Sequence, residues 1–517
     1  MRMGAVPGNA RVAVVGGGIG GLAVAILLAR SGRRVVVLEK NEQLGGRAGR
    51  FDAAGFRFDM GPSWYLMPDV FRQFFELIGE RVEEQLDLVR LDPSYRLFFK
   101  SGRPPLDIHS DLERDVPALE EIEPGAGAQL REYLRRAAHQ YTAAVETLMY
   151  KNYSSPLDLL DPDVTAAGRK LSVFSTMDRY VRRFFRTREL QQIMQYSLVF
   201  LGSSPYNTPA LYNIMSHIDF TLGVFYPAGG IHSIIEALVR IGRDLGVEYR
   251  TDAPVARIDV EGGRARAVVL EDGERIAAAA VVSNADVHHT ETDLLPERAR
   301  SHSERYWRTR TLAPSALILY LGVEGRLPQL SHHNLLFASD WKHSFGQIFD
   351  DPAWPDDPSV YVCAPSVTDP TVAPEGDENL FVTVPIAPGL SATPEELERH
   401  ADAVVDLIAR EMGVPDLASR IRYRRVFSGG DFAERFNAFG GSALGLAHTM
   451  GQTAFLRPDT VSRKVPNLYY VGAGTNPGIG LPVCLISAQL AYKRMIGDTS
   501  AGPPREPAPE PAAASAR

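Results

Sequence analysis

The sequence predicts an α/β protein whose central parallel sheet is assembled from distant parts of the chain. Three observations predict this class. A strand, a glycine cluster and an Ala/Leu-rich helix follow one another near the N-terminus, helical patterning interrupts the chain over residues 66–222, and a strand running into a second glycine cluster lies near the C-terminus. The 517 residues are enough for two or three domains, at about 100–200 residues each.

The first of these elements is a βαβ unit with a glycine motif between strand and helix. The apolar run Arg11–Val15 is followed by Gly16, Gly18 and Gly21 in the pattern GxGxxG, then by a helix and a second strand that ends at Glu39. The glycines allow a tight turn, a close approach of a pyrophosphate and close helix–strand packing, and the carboxylate can bind a ribose diol. The pattern predicts a dinucleotide site; the alternative is a glycine-rich structural turn.

A second glycine turn follows directly and favours FAD over NAD. Gly45, Gly46 and Arg47 come soon after Glu39, where a simple nicotinamide site has no role for them. An arginine at this place can bind the flavin phosphates through its charged fork, although a surface salt bridge is the alternative. In the segment FDMGPS, the small residues Gly61, Pro62 and Ser63 allow the backbone to approach a flat ring.

The C-terminal element resembles the other half of a flavin site. A strand in NLYYVGAGT leads into Gly474 and Thr475, and Gly480, Leu481 and Pro482 then open the final helix. A helix N-terminus directed at the flavin stabilises negative charge on the reduced ring, whereas a plain loop is the other interpretation. Val255, at the start of a predicted strand over 255–260, is a further cofactor-binding candidate.

These elements define the predicted domains. Residues 10–65, 223–305 and 455–500 form a discontinuous Rossmann-like FAD-binding domain, residues 66–222 an inserted helical lobe for membrane and substrate, and residues 306–454 an α+β substrate domain. The Pro/Ala-rich segment 501–517 is predicted to be a disordered tail.

Composition excludes several other classes. The net charge is −8 and no basic run occurs, so nucleic acid is not a predicted partner. The two cysteines, Cys363 and Cys484, have no metal-ligand spacing, so neither a disulfide framework nor a metal site is predicted, and a reducing cytoplasm fits. No apolar run reaches the about 20 residues that span a bilayer, so membrane contact is predicted to be peripheral.

The motifs together resemble those of the bacterial-type carotenoid desaturases, the family of phytoene desaturase, within the amine oxidase and protoporphyrinogen oxidase superfamily. The resemblance covers nearly the whole chain. It is carried by VVGGGIGGL, LGGRAGRF and FDMGPS, which mark the superfamily, and by the more specific segments VFYPAGGIHSIIEAL, VVSNADVHHT and NLYYVGAGTNPGIGLP. The chain departs from the family pattern at Asn476, where histidine is common.

The resemblance implies an FAD-dependent desaturase that introduces conjugated double bonds into phytoene or a related acyclic carotene, with oxygen or a quinone as electron acceptor. It implies peripheral contact with the membrane in which the polyene dissolves. Asp158 matches the position of an acidic residue near the reacting polyene, and Asp219 is a comparable candidate. Apolar candidates for the polyene site are Phe174, Tyr180, Phe184, Phe185, Leu198, Val199, Phe200, Leu201, Ile214, Met215 and Phe220.

Several alternatives stay open from the sequence. A carotenoid isomerase or oxidase could use the same scaffold, and amine oxidation would require an aromatic cage beside the flavin. A non-enzymatic isoprenoid-binding or escort protein is the alternative from another class. His217, His232, His288 and His289 have no recognised metal spacing and are interpreted as structural, and a thioether from Cys484 to the flavin is the least favoured possibility.

Overall fold

The computed structural model describes residues 6–153, 175–453 and 456–504, without the side chains of residues 146, 147 and 200. Most of the segment expected to be a tail, and Asp158 and Phe174, lie outside the described residues. Two large sheets and a group of helices organise the rest.

The first sheet has five parallel strands that come from three distant regions of the chain. Its strand order in space is Leu468–Tyr470, Ala280–Ser283, Arg11–Val15, Arg34–Leu38 and Glu248–Arg250. Successive side chains of the first strand point to opposite faces, so that Val12 and Val14 pack in one core cluster while Ala13 and Val15 pack in another. The prediction of a doubly covered parallel sheet is confirmed.

Different elements cover the two faces of this sheet. Three helices pack together on one face, namely Ile19–Arg30, His232–Asp244 and Leu481–Ile496. The other face contacts a three-stranded antiparallel sheet formed by Val255–Glu261, Arg264–Leu270 and Arg275–Ala277. Residues far apart in sequence therefore meet at the carboxyl edge of the five strands.

The second large sheet has seven strands and shares the lining of one cavity with the first. Its strand order is Ile421–Phe427, Ser315–Val323, Glu378–Ile386, Val360–Cys363, His333–Phe337, Tyr95–Phe99 and Leu106–Ile108. The helix Pro394–Glu411, which begins with a capping box at Thr393, covers one face. The helical lobe covers the other face, where Tyr95, Leu97 and Phe99 join its core.

The last two strands of this sheet correct the predicted domain boundaries. Residues 95–108 fall inside the segment expected to be a helical lobe, yet they extend the substrate-domain sheet. Tyr95–Phe99 pairs in parallel with His333–Phe337, a partner more than 200 residues away, and no local pattern reveals such a pairing.

The helical lobe and connecting segments complete the fold. Lobe helices are Pro68–Leu77, Val82–Gln85, Leu112–Ile122, Ala126–Ala143, Met177–Val181, Arg188–Gln195 and Ile214–His217. Elsewhere lie the helices Val287–His289, Glu304–Arg308, Trp341–Phe349, Leu417–Arg420 and Gly429–Phe436, the hairpin Arg50–Ala53 with Phe56–Asp59, and the pair Leu88–Arg90 with Phe225–Pro227. Among the described helices, none combines the length and apolar character that crossing a bilayer requires.

Candidate active site

A cavity of about 590 Å³ lies where the five-stranded sheet, the helical lobe and the seven-stranded sheet meet. Its lining includes most of the residues that the sequence singled out. These are Gly16, Gly18, Glu39, Gly45, Gly46, Arg47, Gly61, Pro62, Ser63, Val255, Gly480, Leu481 and Pro482. Gly21, Gly474 and Thr475 are not part of the lining.

The two glycine turns lie back to back at one end of the cavity. The Gly45 amide donates a hydrogen bond to the Gly17 carbonyl at 2.8 Å, and the first helix begins at Ile19, directly after the first turn. A Cβ on Gly18 would lie 2.7 Å from Nδ2 of the Asn284 side chain, so the turn has no room for a side chain. Backbone amides and a helix N-terminus therefore face a space that suits phosphate groups.

Gly21 supports the turn from behind. A Cβ on Gly21 would lie 2.2 Å from the Gly16 carbonyl oxygen. Its lack of a side chain allows the helix to approach the strand closely, which is the role that the motif assigns to the third glycine.

Glu39 is buried at the end of the second strand and is held in place by the first turn. One carboxylate oxygen accepts a hydrogen bond from the Gly17 amide at 2.8 Å, and the other accepts from the Asn41 side chain at 2.8 Å. The fixed carboxylate lines the cavity next to the glycines, where a ribose diol can donate to it.

Arg47 supplies positive charge at the same end. It lines the cavity, its guanidinium lies 5.6 Å from the centre of the Phe436 ring, and its buried Nε has no hydrogen-bond partner among the described residues. Burial lowers the pKa of Arg47, and the Asp286 carboxylate counteracts that effect. A buried guanidinium with an unused donor fits an anionic pyrophosphate.

The segment 59–63 forms the next part of the wall. The buried Asp59 carboxylate accepts hydrogen bonds from the amides of Ile231 and His232, and burial raises its pKa to about 6. These bonds join the segment to the helix His232–Asp244. The Ser63 hydroxyl lies 2.6 Å from the Tyr361 hydroxyl, which fixes the end of the segment against the second large sheet.

The C-terminal glycine cluster contributes in part. Gly472 and Ala473 line the cavity, two residues before the predicted Gly474 and Thr475. The Thr475 hydroxyl instead donates to the Pro458 carbonyl at 2.7 Å, and Gly474 packs against Val287. The final helix begins at Leu481 with no acidic residue in its first turn, so its N-terminus presents unopposed partial positive charge to the cavity.

Asn284 and Asp286, which residue-level reasoning did not select, also line this end, as does His289, which was interpreted as structural. The Asn284 side chain lies against the glycine turns, and its Oδ1 would be 2.7 Å from a Cβ on Gly20 or Gly472. The segment VVSNADVHHT was singled out only through the family resemblance, because its own sequence does not indicate that it contacts residues 16–21.

The opposite end of the cavity is apolar. The helical lobe, the seven-stranded sheet and the helix Trp341–Phe349 contribute no charged side chain to the described lining. Of the apolar candidates from the sequence, Val199, Leu201 and Met215 line the cavity, whereas Tyr180, Phe185, Leu198 and Phe220 belong to the lobe core. The remaining apolar lining includes Leu66, Met67, Ile218, Leu335, Phe337, Trp341, Phe345 and Ile348.

Known proteins resemble this chain over most of its length. The family model for flavin-containing amine oxidoreductases matches residues 19–496. A carotenoid 3,4-desaturase from Haloarcula japonica is 50% identical over 94% of this chain and 98% of its own length. The chain belongs to the FAD-dependent carotenoid desaturase family. A zeta-carotene-forming phytoene desaturase from Myxococcus xanthus is 39% identical over 94% of both chains.

A solved structure supports the fold of this desaturase family member. Cyclohexylamine oxidase from Brevibacterium oxydans superposes with a TM-score of 0.58, covering 95% of this chain and 99% of its own at 16% identity. FAD is the cofactor of the family to which the chain belongs, and the glycine turns, the orphaned Arg47 donor and the fixed Glu39 carboxylate suit it.

Tyr196 and Asp219 form a buried polar pair beside the apolar end of the desaturase cavity. Tyr196 lines the cavity and donates a hydrogen bond of 2.8 Å to Asp219, which also accepts one of 2.8 Å from Tyr95. Burial raises the pKa of Asp219 to about 7, and its Oδ1 has no hydrogen-bond partner among the described residues. A carboxyl group with such a pKa can exchange a proton near neutral pH.

The remaining candidate residues make contacts that are typical of structural roles. His232 Nδ1 lies 2.8 Å from the Ala48 carbonyl oxygen, and the His288 ring stacks on Phe439 with centroids 3.9 Å apart. Burial lowers the pKa of His217. Cys484 does line the desaturase cavity, but burial raises its pKa to about 12, so its thiol is not activated for a covalent bond to the flavin.

Proposed function

We propose that the protein introduces conjugated double bonds into an acyclic carotene, with the chain of the carotene bound in the apolar half of the cavity. The absence of charged side chains from the described lining of that half carries the proposal. A hydrocarbon offers no group for an ion pair, so its binding rests on buried apolar area at about 25 cal/mol per Å².

The 3,4 bond, near one end of the carotene, is the first position to test. The 50% identical relative is named a 3,4-desaturase, and the 39% identical relative is named a phytoene desaturase. Both phytoene and more unsaturated acyclic carotenes are therefore proposed substrates. The higher identity to the 3,4-desaturase favours the 3,4 position.

Bound FAD supplies the acceptor for the hydride that leaves the polyene. Arg47, Glu39 and the glycine turns would hold its dinucleotide part, while residues 60–63, Gly472 and the N-terminus of the final helix would form the wall for its ring. The predicted Gly474 and Thr475 support this wall from outside the lining.

Loss of a hydride leaves a cationic carbon chain, whose neighbouring C–H group is strongly acidic and requires only a weak base. Tyr196 lines the cavity, and we propose that its hydroxyl oxygen accepts this proton while its own proton passes to ionised Asp219. The Tyr196 ring lies 6.3 Å from that of Trp64, which follows Ser63 in the segment proposed to contact the ring of the cofactor. Asp158, the candidate from the resemblance, lies outside the described residues.

Amine oxidation is disfavoured by the aromatic residues beside Ser63. Trp64 and Tyr361 have ring centroids 5.9 Å apart, and His333 stacks on Trp64 at 4.0 Å. An alkylamine between two rings needs about 7 Å, twice a van der Waals contact, so these rings form a packed cluster and not a cage.

The test is mass analysis of carotenoids in cells that accumulate phytoene or lycopene and express the protein. Desaturation removes two hydrogens per step, isomerisation leaves the mass unchanged and oxidation adds oxygen. We expect Met215→Glu, which places a charge in the apolar lining, to abolish product and to keep bound FAD, while Val367→Glu at an exposed position retains activity. Unchanged carotenoid mass with every substrate contradicts the proposal.

Peripheral docking on a membrane, with oxygen or a quinone as electron acceptor, is part of the same proposal. Met450 and Leu456 are 46% and 43% exposed next to the helical lobe, where the Met450 amide donates to the Asn207 carbonyl. We expect Met450→Glu with Leu456→Glu to reduce flotation with phospholipid vesicles and Val367→Glu to leave it unchanged. Equal flotation of all three proteins contradicts docking through this edge.

A further inference from the structure

Two histidines and a cysteine meet behind the cavity wall. His332, His333 and Cys363 are all buried, and one potential ligand atom from each lies within 4.8 Å of the other two. The arrangement follows from strand pairing, because His333 and Cys363 are direct partners in the antiparallel pair of His333–Phe337 with Val360–Cys363. No role in cofactor or carotene binding accounts for this cluster.

The two imidazole rings are oriented by hydroxyl groups. His332 Nδ1 lies 2.8 Å from the Thr368 hydroxyl, and His333 Nδ1 lies 2.8 Å from the Tyr361 hydroxyl. Both rings are buried, and burial disfavours the charged form of an imidazole. With the ring protons on Nδ1, both Nε2 atoms present a lone pair.

Those lone pairs are unused. His332 Nε2 and His333 Nε2 are buried and have no hydrogen-bond partner among the described residues. Buried polar atoms without partners are uncommon, and a histidine that binds a metal through one nitrogen usually donates its other N–H to a fixed acceptor. The hydroxyl groups of Thr368 and Tyr361 are such acceptors.

A small void adjoins the cysteine. Its volume is about 20 Å³, and its lining includes Cys363, Ser63, Asp59 and Tyr226. One water molecule needs about 10–15 Å³ of such volume and two or more polar partners, so the void can hold a water beside Cys363, with Ser63 and Asp59 in the same lining.

We propose that His332, His333 and Cys363 bind a zinc ion, with a water from the adjoining void as the fourth ligand. Imidazole nitrogen and thiolate sulfur are the ligands that Zn²⁺ prefers, at about 2.0–2.3 Å. Tetrahedral ligands at those distances lie about 3.3–3.8 Å apart, so the side chains need to approach one another by about 1 Å. This inference goes beyond the proposed function and does not depend on it.

Binding balances in charge and protons. The Cys363 thiol releases one proton as the Zn–S bond forms, while both imidazoles bind through existing lone pairs. Asp59 lines the same void, and its carboxylate offsets the remaining positive charge. The ion would fix Tyr361 and Ser63, whose hydroxyl groups are 2.6 Å apart on the wall of the main cavity.

The test is metal analysis of the FAD-loaded protein after desalting and after titration with zinc chloride. We expect about one zinc per chain in the wild type and in Cys484→Ser, which changes the other buried cysteine, and a loss of at least tenfold in zinc affinity in Cys363→Ser and His332→Gln. Zinc content that is equal in Cys363→Ser and the wild type, or no binding to the wild type, overturns the proposal.

Three further measurements separate loss of the zinc site from misfolding. Bound FAD in each variant reports whether the fold is retained. In the wild type, cobalt in place of zinc should give the red absorption bands of a tetrahedral thiolate site, where flavin does not absorb, and a zinc chelator should lower the melting temperature. A wild-type protein with no such bands and an unchanged melting temperature also overturns the proposal.

Discussion

The Tyr196 hydroxyl donates a hydrogen bond of 2.8 Å to the buried Asp219 carboxylate. Tyr196 lines the apolar part of the cavity and Asp219 does not, so the tyrosine connects the cavity to a carboxyl group with a pKa raised by burial to about 7. Two predictions concern this pair, and two concern the cofactor end.

Tyr196→Phe should slow desaturation by about 100-fold or more, because it removes the group proposed to accept the proton. In the wild type the rate should rise with pH through about 7, since only ionised Asp219 can receive the relayed proton. The measurement is anaerobic flavin reduction with carotene in micelles across pH 5–9. Tyr206→Phe, in the same lobe but outside the cavity lining, is the control, and equal rates for the two variants would refute the relay.

Asp219→Asn should change how stability depends on pH. The pKa of Asp219 is about 7 when folded and that of an unfolded Asp is about 3.9, so the folded state retains the proton more strongly. The associated stability is present below pH about 4 and is lost as pH rises through about 7, by on the order of 4 kcal/mol.

Melting temperatures of wild type and Asp219→Asn over this range test the linkage. The wild type should lose stability relative to the variant as pH rises. Asp402→Asn, at an exposed ion pair with Arg424, should follow the wild type. Parallel curves for wild type and Asp219→Asn would show that Asp219 does not titrate in this window.

Arg47→Ala should weaken FAD binding by about 10-fold to 100-fold, because a charge-assisted hydrogen bond contributes about 1.5–3 kcal/mol. Arg47→Lys should recover part of the affinity, since it restores the charge without the planar fork. Equilibrium titration of the apoprotein with FAD measures the effect. Arg81→Ala, at a surface position with an exposed side chain, is the control, and an Arg47→Ala affinity equal to it would exclude Arg47 from the phosphate site.

Gly21→Ala should lower both the melting temperature and the FAD content. Its Cβ would lie 2.2 Å from the Gly16 carbonyl oxygen, so the first helix must move away from the strand, at a cost of about 1–3 kcal/mol. Gly346→Ala is the matched control, because a Cβ there meets no atom within 4 Å. A Gly21→Ala protein with normal stability and FAD content would mean that the helix tolerates the shift.

Local patterns gave reliable predictions where one short segment contains all the determinants of a structure. The apolar run Arg11–Val15, the glycines that follow and Glu39 predicted a strand, a turn and a carboxylate that the structure places together. The helix Pro394–Glu411 also has a local determinant, because Thr393 and Glu396 form a capping box at its first turn.

Predictions were wrong or incomplete where the determinant is a distant partner. The strand Tyr95–Phe99 was assigned to a helical lobe because its pairing with His333–Phe337 leaves no local signature. Asn284 lines the cavity although it was not selected, and the C-terminal lining includes Gly472 and not the predicted Gly474. Which glycine faces a cavity depends on its φ and ψ angles and on its neighbours, and the sequence of the segment alone does not specify them.

The sequence by itself determined the fold class, the discontinuous nucleotide-binding domain and the family resemblance, because glycine turns and β-branched strands are encoded locally. Only the tertiary structure decided which apolar residues line a cavity and which fill a core, since the same residue types occur in both places. It also decided that Tyr196 meets Asp219 and that His332 and His333 meet Cys363. Those contacts arise from the packing of separate sheets and lobes, and burial in that packing sets their pKa values.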